Sequence, residues 1–287
     1  MNSPATPAIR ETIIQPTSGL RLAPWVELYA YRDLLWVMVW RDVAARYKQT
    51  ILGPIWFLLQ PLLNTIVFTL IFSRVAHLST AGVPGPLFYL CGLLLWSYFS
   101  ATFNATALTL AINAQLFGKV YFPRLIVPLS GVISNLVALG IQTALFVAIY
   151  ILYKFGSDAA TFGFSWSVVF LPLVIVQVGL FSLGVGLWLA ALSARFRDLS
   201  MLTAFLIQLW MYATPVIYPL SKLPARWFPW MAMNPMAVPV EYSRSMLLGT
   251  AVPPVWIVAV SIALTAVMLI SGLAVFDRAG KTFVDVA

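Results

Sequence analysis

The stretch LIVPLSGVISNLVALGIQTALFVAIYILY, residues 125–153, contains no charged side chain. About 20 apolar residues rising ~1.5 Å each cross a ~30 Å hydrocarbon layer, so this run is long enough to span a bilayer. It lacks the apolar–polar alternation of a membrane β-barrel strand. Five further runs of the same kind flank it: Ile55–Phe72, Leu87–Ala111, Trp166–Leu192, Leu199–Leu220 and Val255–Phe276. The 287-residue chain is 61% hydrophobic and 9% charged, where a soluble domain is nearer a quarter charged. The expected fold is all-α and polytopic: six transmembrane helices, an N-terminal amphipathic interface helix, and short re-entrant helices between spans five and six. Its function then belongs to transport, signalling or membrane-embedded chemistry.

Charge sets an expected orientation. With both termini cytosolic, the inner segments hold Arg10, Arg21, Arg32, Arg41, Arg46, Lys48, Lys119, Arg124, Arg195, Arg197, Arg278 and Lys281. The outer segments hold Arg74, Lys154, Lys222, Arg226 and Arg244. Twelve against five follows the positive-inside rule. These basic residues are scattered among short loops, a poor pattern for nucleic-acid binding. Residues 1–24, rich in Pro, Ser and Thr, read as a disordered cytosolic tail without an export signal. Residues 25–287 read as the transmembrane domain.

Residues 25–50 form the expected interface helix. Trp36, Val39, Trp40, Val43 and Tyr47 recur at three- and four-residue steps, with Arg32, Asp33, Arg41, Asp42, Lys48 and Gln49 between them. Such a helix lies in the inner headgroup region, either as a simple anchor or as one that also presents its basic residues to a cytosolic partner. The segment Ile112 to Arg124, with NAQLFGKVYFPR as its core, is short, aromatic and basic. Leu116, Phe117, Val120, Tyr121 and Phe122 there imply burial at the membrane surface or a docking site. Ser182, Gly186, Ala190 and Ala194 form a small-residue stripe suited to close helix packing. Between spans five and six, Pro215, Pro219, Pro224, Pro229, Pro235, Pro239, Pro253 and Pro254 punctuate a stretch that also holds Trp227 and Trp230. It is too apolar for a free loop, and a re-entrant pair of short helices or an interfacial belt fits it. Glu241 and Arg244 can pair on one of those helices.

No ionisable residue falls in the centre of a span, which argues against a proton-coupled carrier or an ion pump. Uncharged Gln60, Asn64, Asn104, Asn135, Gln142, Gln177 and Gln208 do enter the spans. They either bond between helices or line a path for a hydroxyl-rich substrate. Trp56, Phe68, Trp96, Tyr98, Trp210, Tyr212 and Tyr218 could offer faces to sugar rings along such a path. The single His77 and the single Cys91 exclude a histidine-based triad, a metal cluster and an intrachain disulfide. Gly280-Lys281-Thr282 resembles the end of a phosphate loop, but Val275 stands where the earlier glycine is required. Any ATP that drives this chain is hydrolysed by another subunit.

Trp40-Arg41-Asp42, the run Arg46-Tyr47-Lys48-Gln49-Thr50, Leu52-Gly53 and Leu59-Gln60-Pro61 form one group of motifs, and Lys119 to Arg124, Arg197-Asp198 and Asn234-Pro235-Met236 a second. Together they resemble the ABC-2-type permeases that export O-antigen, teichoic acid and related glycans. The resemblance covers Trp25 to Phe276. It implies two copies of the subunit forming a channel in the inner (plasma) membrane. Two cytosolic ATPase subunits holding ATP and magnesium would drive it, this chain carrying no cofactor or metal of its own. The cargo would be lipid-linked polysaccharide. ATPase docking is then expected at Arg41, Arg46, Tyr47, Lys48, Gln49, Asn113, Leu116, Phe117, Lys119, Tyr121, Phe122 and Arg124. Channel or glycan contacts are expected at Trp56, Gln60, Asn64, Phe68, Trp96, Tyr98, Gln208, Trp210, Tyr212 and Tyr218. The gate is expected at Pro215, Pro219, Asn234, Pro235 and Glu241. A drug- or small-lipid-exporting permease of the same fold differs only in substrate. A membrane-embedded glycosyl or acyl transferase would need acidic or histidine residues at a membrane face, where Asp198, Glu241 and Asp277 are isolated. A scaffold without a transport role completes the alternatives.

Overall fold

The computed structural model describes residues 25–47, 55–119, 122–156, 162–196 and 198–284. Among them there is no strand. The chain opens with α1 (Trp25–Ala30) and α2 (Arg32–Tyr47), then runs into α3 (Trp56–Phe68), which continues as a π-helix over Thr69–Val75. There follow α4 (Gly85–Ala107), the short α5 (Thr109–Ile112) and α6 (Ala114–Lys119), and the long α7 (Ile126–Phe155) and α8 (Leu171–Arg195). The C-terminal part holds α9 (Asp198–Ala213), α10 (Phe228–Ala232), α11 (Ala237–Leu248) and α12 (Val255–Val284).

Among the described residues, five helices are long and apolar enough to cross a membrane: α3 with its π-helix, α4, α7, α8 with the 3₁₀ turn before it, and α12. The remaining expected span forms the shorter α9, which stops at Ala213 rather than Leu220. Thr214-Pro215 ends it, since Pro215 has no N–H to give and disfavours helix in the residue before it. Prolines also start helices, where a missing N–H loses nothing: Pro86 in α4 and Pro172 in α8 lie in the first turn. Gly249, at φ 69°, closes α11 in the left-handed conformation, its N–H reaching the Ser245 carbonyl.

Helix α4 is the central post. Leu87, Phe88, Tyr89, Leu90, Phe99 and Phe103 along it are all buried, with α7, α8 and α11 packed around it. The small-residue stripe of α8 does pack: Ser182 and Ala190 are buried, and a Cβ on Gly186 would fall 2.5 Å from the Thr106 Cβ of α4. The adjacent face of α8 meets α12 more closely still. A Cβ on Gly184 would lie 2.7 Å from the Leu269 backbone, and one on Gly272 would collide with the Gly184 carbonyl. Trp188 donates to Ser271 at 2.9 Å and Gln177 to Ser261 at 2.7 Å, so interhelical bonds flank this glycine contact.

The aromatic face expected of the interface helix divides. Met38, Val39 and Val43 are buried, while Trp36 and Trp40 are 64% and 73% exposed. At ~100° per residue Val39 and Val43 lie beside Trp36 and Trp40 on the helix surface, with Met38 on the far side, and the packing boundary against α7 runs between the valines and the tryptophans. Ser130 of α7 donates to Asp42 at 3.0 Å and fixes that side.

Candidate functional site

Two ends of the bundle carry the residues of interest. The first is the turn after α9, at the end shared by α10 and α11. Asn234 gathers four hydrogen bonds there. Its amide nitrogen donates to the Ala213 carbonyl and the Thr214 hydroxyl, both at 3.0 Å. Its oxygen accepts from the Trp210 indole at 3.2 Å and from the Met236 N–H at 3.1 Å. One amide therefore ties the last turn of α9 to the start of α11, using its two donor and two acceptor positions fully.

Arg244 completes the grip. It is fully buried, and its two terminal nitrogens donate to the Pro215 and Val216 carbonyls, both at 2.5 Å. Its Nη1 also donates to Glu241 at 3.0 Å, and the same carboxylate oxygen accepts the Leu220 N–H at 3.0 Å. The guanidinium carbon stands 3.8 Å from the centre of the Phe88 ring on α4. A Cβ on Gly92, one turn along, would come within 2.6 Å of Nη2, so glycine is what admits the guanidinium here. Burial pushes the Glu241 carboxyl up and the Arg244 guanidinium down, and each one's charge opposes the shift of the other. A buried pair of this kind needs its other hydrogen-bonding positions filled; the Pro215 and Val216 carbonyls and the Leu220 N–H fill most of them, while the buried Nε–H of Arg244 has no partner. Pro215, Pro219 and Pro235 are buried in the same region. All five expected gate residues thus fall in one place, and Arg244 is the member that sequence reading left out of the set. The three-residue spacing announced the ion pair, but nothing in the spacing announced the two carbonyls.

The expected channel contacts scatter. Trp56, Gln60, Asn64, Gln208 and Tyr212 are exposed on α3 and α9. Trp96 and Tyr98 are buried inside the protomer, at 5% and 4% exposure, so they lie on no open face. Trp210 is wedged edge-on between Phe99 and Phe181, with ring centres 5.2 and 5.6 Å away. Phe68 packs edge-on against Phe72 and Tyr89, and Tyr218, half-buried, reaches the Tyr212 carbonyl at 3.5 Å.

The second end holds α2 and α6. Leu116, Phe117 and Phe122, expected at a docking surface, pack with Met38, Ile126 and Val127 and fasten α6 to α2 and α7, Phe122 being buried and Leu116 and Phe117 partly so. Apolar side chains in a short loop take the nearest buried partner, here the apolar side of α2. Asn113 donates to the Thr109 carbonyl at 3.0 Å and links α5 to α6. Arg124 is half-buried, and its guanidinium lies where a Cβ on Gly280 of α12 would sit. Arg46 is half-buried as well. Lys119 and Arg41 remain exposed, the latter paired with Asp42 at 2.8 Å. Ile112, at the start of the same segment, is 72% exposed. Tyr47 closes α2, and Lys48, Gln49 and Tyr121 lie outside the described residues.

Comparison with known proteins places these features. The ABC-2 type transporter family matches residues 33–248. An O-antigen export system permease protein, RfbA, of Myxococcus xanthus is 31% identical over 263 residues, covering 90% of this chain and 97% of that protein. The RfbA of Klebsiella pneumoniae is 27% identical over 255 residues, 88% and 95% of the two chains. A polysialic acid transport protein, KpsM, of Escherichia coli is 24% identical over 213 residues, 72% and 78%. A polytopic helical bundle, a match across the α2-to-α11 region and likeness to the RfbA permeases over about nine-tenths of the chain have one meaning: the chain belongs to the ABC-2 type transporter family.

Proposed function

We propose that the chain is the transmembrane subunit of an ATP-driven exporter of lipid-linked polysaccharide, working as a homodimer in the inner membrane with both termini cytosolic. One observation carries the transport path. Gln60 and Asn64 of α3 and Gln208 of α9 are exposed on apolar helices. Hydrocarbon offers an amide no hydrogen bond, and leaving one there costs on the order of 2–7 kcal/mol. Facing a second copy across a hydrated channel satisfies these amides, and with Trp56 and Tyr212 they offer the weak, repeated contacts that a moving sugar chain needs. In this arrangement α9 and the turn after it complete a sixth crossing. The names of the relatives support a glycan cargo.

The α2–α6 end would receive a cytosolic ATPase that binds ATP and magnesium, through Lys119, Arg41 and Ile112. Since α6 is fastened to α2 and α7 by Leu116, Phe117 and Phe122, force applied there reaches two helices at once. At the other end the turn gripped by Asn234 and Arg244 would form the gate. The test is co-purification with the ATPase encoded beside it and measurement of ATP hydrolysis in lipid. Stimulation by the host's lipid-linked glycan supports the proposal. Stimulation by small amphiphiles alone, or failure to bind any ATPase, overturns it.

A further inference from the structure

Helix α10 has two unlike sides. Phe228 and Ala232 pack against Val238 of α11 and Ile257 of α12. Away from them, Trp227, Trp230 and Met233 are 48%, 65% and 63% exposed. Ile257 lies in the first turn of α12, beside Trp256, which is 53% exposed. Helix α10 is thus held at the depth where a membrane-crossing helix begins. Tryptophans from two separate elements meet that level, as they do at the boundary between headgroups and hydrocarbon.

The charges nearby have one sign. Lys222 and Arg226 are exposed, with Arg226 lying 5.9 Å from the Trp227 ring. The only acid between Leu220 and Val255 is Glu241, which is buried and bonded to Arg244. Carbohydrate platforms place carboxylates or amides beside the ring to bond hydroxyls. Here the one amide close by, Asn234, already has its four positions filled.

We propose that Trp227, Trp230 and Met233 insert α10 into the headgroup layer while Lys222 and Arg226 bind anionic phospholipid headgroups there. The gate region would then be held by protein on one side, through α11, and by lipid on the other. This rests only on the chain crossing a bilayer, so it can fail or hold independently of glycan export.

The experiment uses the full-length chain in nanodiscs, with Trp230→Cys carrying an environment-sensitive fluorophore. Cys91 is buried and stays unlabelled. Brominated phospholipid should quench the label and aqueous iodide should not. Brominated phosphatidylglycerol should outcompete brominated phosphatidylcholine at this position, by about fivefold for each basic residue engaged. The Lys222→Gln, Arg226→Gln pair should bring that preference to about one, as expected if both charges are lost. Met233→Cys gives a second, independent label. Quenching by iodide alone would overturn the proposal, as would protection from both quenchers, which would mean a second copy covers the face. Equal quenching by the two brominated lipids would overturn the anionic preference. Protection from iodide only when free glycan is added would make the face a carbohydrate platform and overturn the proposal too.

Discussion

Helices α11 and α3 reverse the usual expectation of what lies inside. Helix α11 carries a glutamate and an arginine and is buried along nearly its whole length. Helix α3 is apolar with two amides, and only 11% of its spanning residues are buried, against 78% in α4. In water this would be upside down. In a bilayer the outside is hydrocarbon, apolar side chains are at home there, and charges must be enclosed with their partners. Helix α11 is therefore a fixed post, whereas α3 and α9 present open faces.

The strongest way to break the comparison is Arg244→Met. It leaves Glu241 enclosed without its cation and the Pro215 and Val216 carbonyls without a donor, and should destabilise the protein by about 3–5 kcal/mol. Arg244→Lys should recover little, because an ammonium lacks the planar fork that reaches two carbonyls. Thermal unfolding in detergent reads both, and a near-wild-type Arg244→Met would remove the post. Next is Gly272→Val, which drives a branched side chain into the Gly184 backbone and should cost about 1–3 kcal/mol by overpacking. Asn234→Ala strips the Trp210 indole of its acceptor and the Thr214 turn of its donor, a loss of about 1–3 kcal/mol for each group left buried and unpaired. Limited proteolysis within residues 213–236 should quicken in that variant while the rest of the chain stays resistant. The smallest expected effect on folding belongs to the surfaces. Gln60→Leu with Gln208→Leu should leave the unfolding temperature within the few tenths of a kcal/mol usual for surface changes, yet lower glycan-stimulated ATP hydrolysis. Unchanged hydrolysis would deny α3 and α9 a role in the path. Lys119→Glu should likewise leave folding intact and weaken association with the ATPase, read by co-purification.

Much of the bundle was legible because hydrophobic run length carries the signal directly. The facing of each helix was not. A spanning helix is apolar all round, so Trp96 and Tyr98, which are enclosed, look in sequence like Trp56 and Tyr212, which are open. The stop at Ala213 was hidden because the residues after it, TPVIYPL, are as apolar as the helix before. At the candidate gate, sequence supplied Asn234, Glu241 and the prolines as a set. It could not supply the grip of Arg244 on two backbone carbonyls, since a carbonyl belongs to every residue type alike. The aromatics of the α6 loop were legible as a paradox, buried or docking, and Phe122 is buried beside Met38 while Leu116 and Phe117 are partly so.

The π-helix that prolongs α3 bears on the proposed homodimer. In it the Ala76 N–H reaches back five residues to Ile71 at 2.8 Å, so the segment stores about one residue more than an α-helix of equal rise would. That surplus acts as a phase shifter. Side chains along Thr69–Val75 turn progressively away from the bearing set by Gln60 and Asn64. Two such helices meeting across a dyad could match along their first half and diverge along their second, leaving a flared mouth beside Arg74. Removing one residue from Thr69–Val75 would bring the two halves back into step and carry the seam of contact to the end of the helix.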